Sequence, residues 1–143
     1  MAIFMGRYFH NLDQKNRIFI PSKFRDALGD SFVLYMPKKT GKCLFAYTLA
    51  DWEEVSNLKN NKPLSKELTL QQRSTYLGTE MVDADNQGRV TISKEFCEFA
   101  ALEKEVVFFG AGRRIEIWSR SEWDAMLQAK AESDEDEEDN VPF

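Results

Sequence analysis

The 143-residue sequence has one histidine, two cysteines and no long apolar run, and each shortage excludes something. Cys43 and Cys97 stand far apart with no Cys-x-x-Cys pair, so neither a zinc knuckle nor a redox dithiol is indicated. Each reads as a small buried apolar residue or an inert thiol. His10 falls on an expected strand and reads as structural. No G-x-S-x-G, P-loop or clustered carboxylate pair is present. No enzyme activity, cofactor, metal or small-molecule substrate is therefore expected. No apolar stretch approaches the ~18 residues of a membrane span, and the opening MAIFMGRYFHN lacks the charged and apolar regions of a signal peptide. The expectation is a cytoplasmic chain without a membrane partner.

What remains is 43% hydrophobic and 13% aromatic, enough for the core of one domain or two very small ones. The net charge of −5 conceals an asymmetry. The segment ESDEDEEDNVPF, 132–143, holds seven acids and no base, and the rest of the chain is net +2. Residues 1–48 alone are +5, from Arg7, Lys15, Arg17, Lys23, Arg25, Lys38, Lys39 and Lys42 against three acids. Residues 77–131 are −3. A basic front permits a polyanion partner for the first half. The acidic tail cannot form a core and is expected to be disordered.

An internal repeat organises the chain. MGRYFHNLDQKNRIFIPSKFRDAL from Met5 aligns with LGTEMVDADNQGRVTISKEFCEFAAL from Leu77 at an offset of 72. Asp13 matches Asp85, Arg17 matches Arg89, and Ile18/Ile20 match Val90/Ile92. LFAYTLADWEEV from Leu44 matches IEIWSRSEWDAM from Ile115, so that Trp52 meets Trp123. Each unit reads as a strand, a polar turn, an alternating strand (RIFIP, RVTIS), a brief helix, two apolar strands and a second helix. Capping-type starts at Thr48–Asp51 and Ser119–Glu122 open the second helices. The expected organisation is a first repeat at 1–62, a linking helix at 63–76, a second repeat at 77–131 and the tail. A half of about 70 residues buries a sheet poorly alone. The fold expected is therefore α+β, two interlocked hairpin repeats sharing one pseudo-two-fold barrel-like core with flanking short helices.

The repeated Asp-x-x-x-Arg turn is the candidate site. DADNQGRVTISK, 83–94, imitates a calcium loop, but position 12, which needs a bidentate carboxylate, is Lys94. Its twin keeps Asp13 and Arg17 while discarding the other ligands, so calcium is not expected. Two compatible readings stay open. In one, the Asp side chain only accepts backbone N–H bonds across the turn, with Asn16 and Gly88 at positive φ. In the other, the turn aims Arg17, whose fork matches guanine edges and phosphates, while Lys15 and Lys23 strengthen the field.

Together MGRYFHNLDQKNRIFIPSKFRDALG, CLFAYTLADWEEV, VDADNQGRVTIS and RIEIWSRSEWDAML resemble the MraZ family of bacterial transcription regulators, over essentially residues 4–131. The resemblance implies the swapped-hairpin fold of the AbrB and MazE proteins and subunits assembled as a homo-oligomeric ring. It further implies nucleoid-associated binding to promoter DNA with repeated boxes, upstream of the division and cell-wall gene cluster, usually as a repressor. On it, Arg17 is the expected base-reading residue, Asp13 orders its turn, Lys15 lies within the motif, and Asp85 and Arg89 form the second copy. Asn16 departs from the usual glycine. The +5 first half is expected to contact the DNA if only one does. The rival expectations are a non-DNA oligomeric scaffold and an antitoxin-like protein.

Overall fold

The computed structural model describes residues 2–60 and 65–133. Thirteen elements follow in order. The first half holds β1 (Phe4–Asn11), β2 (Arg17–Phe19), α1 (Ser22–Leu28), β3 (Ser31–Tyr35), β4 (Leu44–Thr48) and α2 (Leu49–Asn60). After α3 (Lys66–Leu77) the second half repeats the pattern with β5 (Thr79–Asp83), β6 (Arg89–Thr91), α4 (Lys94–Phe99), β7 (Glu105–Gly112), β8 (Ile115–Ser119) and α5 (Arg120–Ser133).

Local chemistry explains the boundaries. The Thr48 Oγ1 accepts from the Asp51 N–H at 3.0 Å and the Ser119 Oγ from the Glu122 N–H at 3.1 Å. Each hydroxyl thus satisfies one of the otherwise unpaired amides of a helix start. Ser65 caps α3 by accepting from Leu68 N–H at 3.1 Å, so the described part of the linking helix begins at Lys66 and ends at Leu77. Helix α5 continues through Ser133, two residues into the segment expected to be disordered, since QAKAES is good helix-forming sequence. The remainder of the tail lies outside the described residues. Among the described residues no helix is long and apolar enough to cross a membrane.

The strands cross between the halves. A six-stranded antiparallel sheet runs β1-β7-β8-β4-β3-β5, and β2 pairs with β6 as a separate ribbon. Strand β1 of the first half lies on β7 of the second, Phe4 opposite Gly112 through Asn11 opposite Glu105. Strand β5 of the second lies on β3 of the first. The central pair, β4 and β8, sets Leu44 against Ile117 and Ala46 against Ile115. This order is symmetric about the β4–β8 seam. One buried cluster draws on both halves, with Phe4, Ile18, Phe24, Phe32, Leu34 and Leu44 packed together with Val90, Ile92, Phe96, Phe108, Ile115 and Ile117.

The barrel expected from the repeat is not closed by hydrogen bonds among the described residues. Strands β2 and β6 are three residues long and pair with each other along their full length, so β1 and β5 end the larger sheet as edges. A second buried group, Cys43, Val107, Trp118 and Trp123, lies with Phe109, Met126 and Leu127 against it. A polar contact also joins the halves. Arg113, just after β7, contacts Asp51 at 3.4 Å and Glu54 at 2.9 Å, both on α2.

Candidate nucleic-acid interface

Each polar turn is built around one aspartate. Asp13 Oδ1 accepts the backbone N–H of Lys15 at 2.9 Å and of Arg17 at 2.8 Å, while its Oδ2 accepts Arg17 Nε–H at 2.8 Å. Backbone bonds close the loop, Asp13 N–H to Arg17 O at 2.9 Å and Asn16 N–H to Asp13 O at 3.0 Å. The second turn repeats every bond. Asp85 Oδ1 accepts from Gln87 and Arg89 N–H, both at 2.9 Å, and its Oδ2 from Arg89 Nε–H at 2.9 Å. The residue before each arginine lies in the left-handed region, Asn16 at φ 59° and Gly88 at φ 82°. Asparagine enters that region more readily than most residues with a β-carbon, so the two turns make the same bonds despite different sequences.

These bonds set the charges. The Arg17 backbone N–H is the main force holding the Asp13 carboxyl below its ordinary value, with the Arg17 side chain and the Lys15 N–H adding to it. Asp85 is lowered in the same way, first by the Arg89 backbone N–H. Both carboxylates therefore stay ionised. Each spends its oxygens on its own turn, which leaves the 83–94 loop without a free ligand at Asp85. Asp83 in turn accepts from Ser31 Oγ at 2.5 Å. Calcium finds no prepared carboxylate set there.

The ribbon joins the two turns at its opposite ends. Arg17 lies opposite Thr91, Ile18 opposite Val90 and Phe19 opposite Arg89. Ile18 and Val90 are each 1% exposed and point into the core. The alternation therefore turns Arg17, Phe19, Arg89 and Thr91 outward on one face. Further bonds tie the turns crosswise, Ile20 N–H to Gly88 O at 3.2 Å and Ile92 N–H to Asn16 O at 2.8 Å. The charge difference between sequence halves is thus not a division in space at the turns, because crossed pairing seats both arginines on the same ribbon.

Each arginine uses Nε to hold its aspartate, and among the described residues its terminal amino nitrogens have no hydrogen-bond acceptor. Each guanidinium thus keeps a two-pronged edge free. Arg89 also lies 5.9 Å from the Phe19 ring centroid, within reach of a cation–π contact. Lys15 is exposed near Arg17, its backbone N–H held by Asp13 and its ammonium without a partner among the described residues, and Lys23 is exposed in the first turn of α1 with no bond to either turn. Two participants escaped the sequence reading. Phe19 is legible in hindsight from the alternation of RIF. Arg25 of α1 has its guanidinium packed directly against Gly88 of the other repeat, and only the Asn16/Gly88 difference hinted at it. His10 is elsewhere, edge-on to Phe108 at 5.8 Å, its pKa lowered by burial.

Comparison with known proteins finds a family and relatives along most of the chain. The family described as "MraZ protein, putative antitoxin-like" matches residues 3–73 and 75–142. A protein of Acetivibrio thermocellus named transcriptional regulator MraZ is 38% identical over 124 residues, covering 86% of this chain and 85% of its own. One of Halothermothrix orenii with the same name is 39% identical over 135 residues, covering 94% of this chain and 93% of its own.

Proposed function

The chain belongs to the MraZ family, and from that premise we propose that it is a cytoplasmic, nucleoid-associated transcriptional regulator that binds promoter DNA through its β2–β6 ribbon. The observation that carries the reading is the pair of aspartate-braced turns on one face of the ribbon, each presenting a guanidinium edge with no hydrogen-bond acceptor among the described residues. Such an edge fits the O6/N7 side of guanine or a phosphate bidentately. In this reading Arg17 reads or grips the DNA, Asp13 aims it, Lys15 and Lys23 add field, and Asp85 with Arg89 form the second contact. In this reading the crossed strands correspond to the swapped hairpins of an AbrB-like fold, and the repeats at 1–62 and 77–131 form one domain.

A single small ribbon binds weakly and salt-sensitively. Several copies on spaced repeated boxes gain by effective concentration, often by about 10²–10⁴. The two edges of the large sheet support such an assembly. Strand β1 exposes Met5 and Phe9, beside a groove of about 350 Å³ lined by Phe109, Trp123, Met126 and Leu127. Strand β5 exposes Met81, beside a groove of about 390 Å³ lined by Trp52 and Tyr76. Exposed apolar edges invite pairing, and two different edges joined head to tail close a ring when the rotation allows. The target is direct repeats upstream of the division and cell-wall gene cluster, including the chain's own gene, with repression as the outcome.

Footprinting on the DNA upstream of the chain's own gene tests this. The expected result is a promoter-specific footprint that fades with salt and disappears in Arg17→Ala, with particle size by light scattering unchanged. A normal footprint in Arg17→Ala overturns the assignment. Absence of any footprint by the parent protein favours a non-DNA scaffold.

A further inference from the structure

We propose that Arg25 is a phosphate-gripping residue that completes the second Asp-x-x-x-Arg turn from the other repeat, so that each turn presents two cations to the DNA backbone. The inference rests on the DNA-binding reading above. The first turn, Asp13-Gln14-Lys15-Asn16-Arg17, carries its own second base in Lys15. The second, Asp85-Asn86-Gln87-Gly88-Arg89, has none besides Arg89. The fold supplies it. The Ile20 N–H to Gly88 O bond ties the entrance of α1 to the second turn, and the Arg25 guanidinium lies against Gly88 where a β-carbon would overlap it. Arg25 is exposed, and among the described residues it has no carboxylate partner. A guanidinium packed on Gly88, next to Arg89 and with no carboxylate partner among the described residues, can take a phosphate bidentately.

The repeat supplies the control. Asn16 adopts φ 59° in the first turn, so positive φ alone does not require glycine at 88. The room taken by Arg25 does. At the offset of 72 the counterpart of Arg25 is Cys97, which is buried, and the counterpart of Gly88 is Asn16 rather than glycine. Arginine goes with glycine on one side and cysteine with asparagine on the other.

The test is fluorescence anisotropy of full-length protein on labelled duplex from its own upstream region and on random duplex, across a salt series. Arg25→Ala should reduce the slope of log affinity against log salt by about 0.9 for each phosphate no longer neutralised, on both duplexes alike, with particle size and melting temperature unchanged. Gly88→Asn should do the same by displacing the guanidinium. The double variant Gly88→Asn/Arg25→Cys copies the residue pair of the first turn, so it should fold normally and show the same reduced slope. If these variants keep the parent slope while Arg17→Ala loses binding, the role of Arg25 falls and the functional reading stands. If Arg17→Ala also binds normally, both fall.

Discussion

Ile18→Ala tests whether the crossed ribbon is part of the common core. Ile18 is 1% exposed, faces Val90 across the ribbon and packs in the cluster that spans both halves. The substitution removes three carbons, about 2.4 kcal/mol of transfer free energy at ~0.8 per carbon. The cavity left behind raises the cost within the range of about 2–5 kcal/mol seen for such truncations. For a chain of this size each kcal/mol lowers the melting temperature by roughly 3–4 °C, so a fall of roughly 7–20 °C is expected. Val90→Ala removes two carbons and should cost proportionately less. Thermal melting by circular dichroism at fixed protein concentration is the assay, because subunit association makes the midpoint concentration-dependent. Both variants should melt in one transition. Two transitions, with Ile18→Ala moving only one of them, would refute the interlocking argument, as would a fall of less than about 2 °C.

Replacing Arg17 by Lys keeps the charge and loses the fork. If Arg17 reads a base, Arg17→Lys should lose about 5–150-fold in preference for the specific over a scrambled duplex, measured by competition binding, while random-duplex affinity holds. Retained preference would mean that the arginine only grips phosphate. Asp13 and Asp85 titrate below their ordinary value of 3.8 in the fold. Their contribution is complete above that value and is lost as pH falls through the lower folded value. Urea midpoints should therefore be flat from neutrality to about pH 5 and fall below about pH 4, with a shallower acid limb in Asp13→Asn/Asp85→Asn; an unchanged limb would contradict the turn geometry. Burial pushes the Cys43 thiol up to about 12 and raises that of Cys97. Neither should react with a disulfide reagent at pH 8 until guanidinium unfolds the chain. Rapid native labelling would show that the core opens readily.

The repeat, the Asp-x-x-x-Arg turns, the helix caps and the alternation of buried Ile18/Val90 with outward Arg17/Arg89 are local properties. Period-2 spacing and turn chemistry act within a few residues, so the sequence by itself determined them. It also carried the family resemblance, since the matching motifs run through both halves. Which strand pairs with which is a different matter. β1 and β5 resemble each other, and nothing within either half says that each must leave its own repeat. The tertiary structure decided that crossing, because only it buries the apolar faces of both halves in one core. The crossing in turn overrode the charge map. A basic first half and an acidic second half read as front and back, yet the ribbon seats Arg17 and Arg89 on one face and the fold lays Arg25 on Gly88. Charge summed along the chain locates a field only where the chain stays on one side, and here it changes sides at the turns that matter.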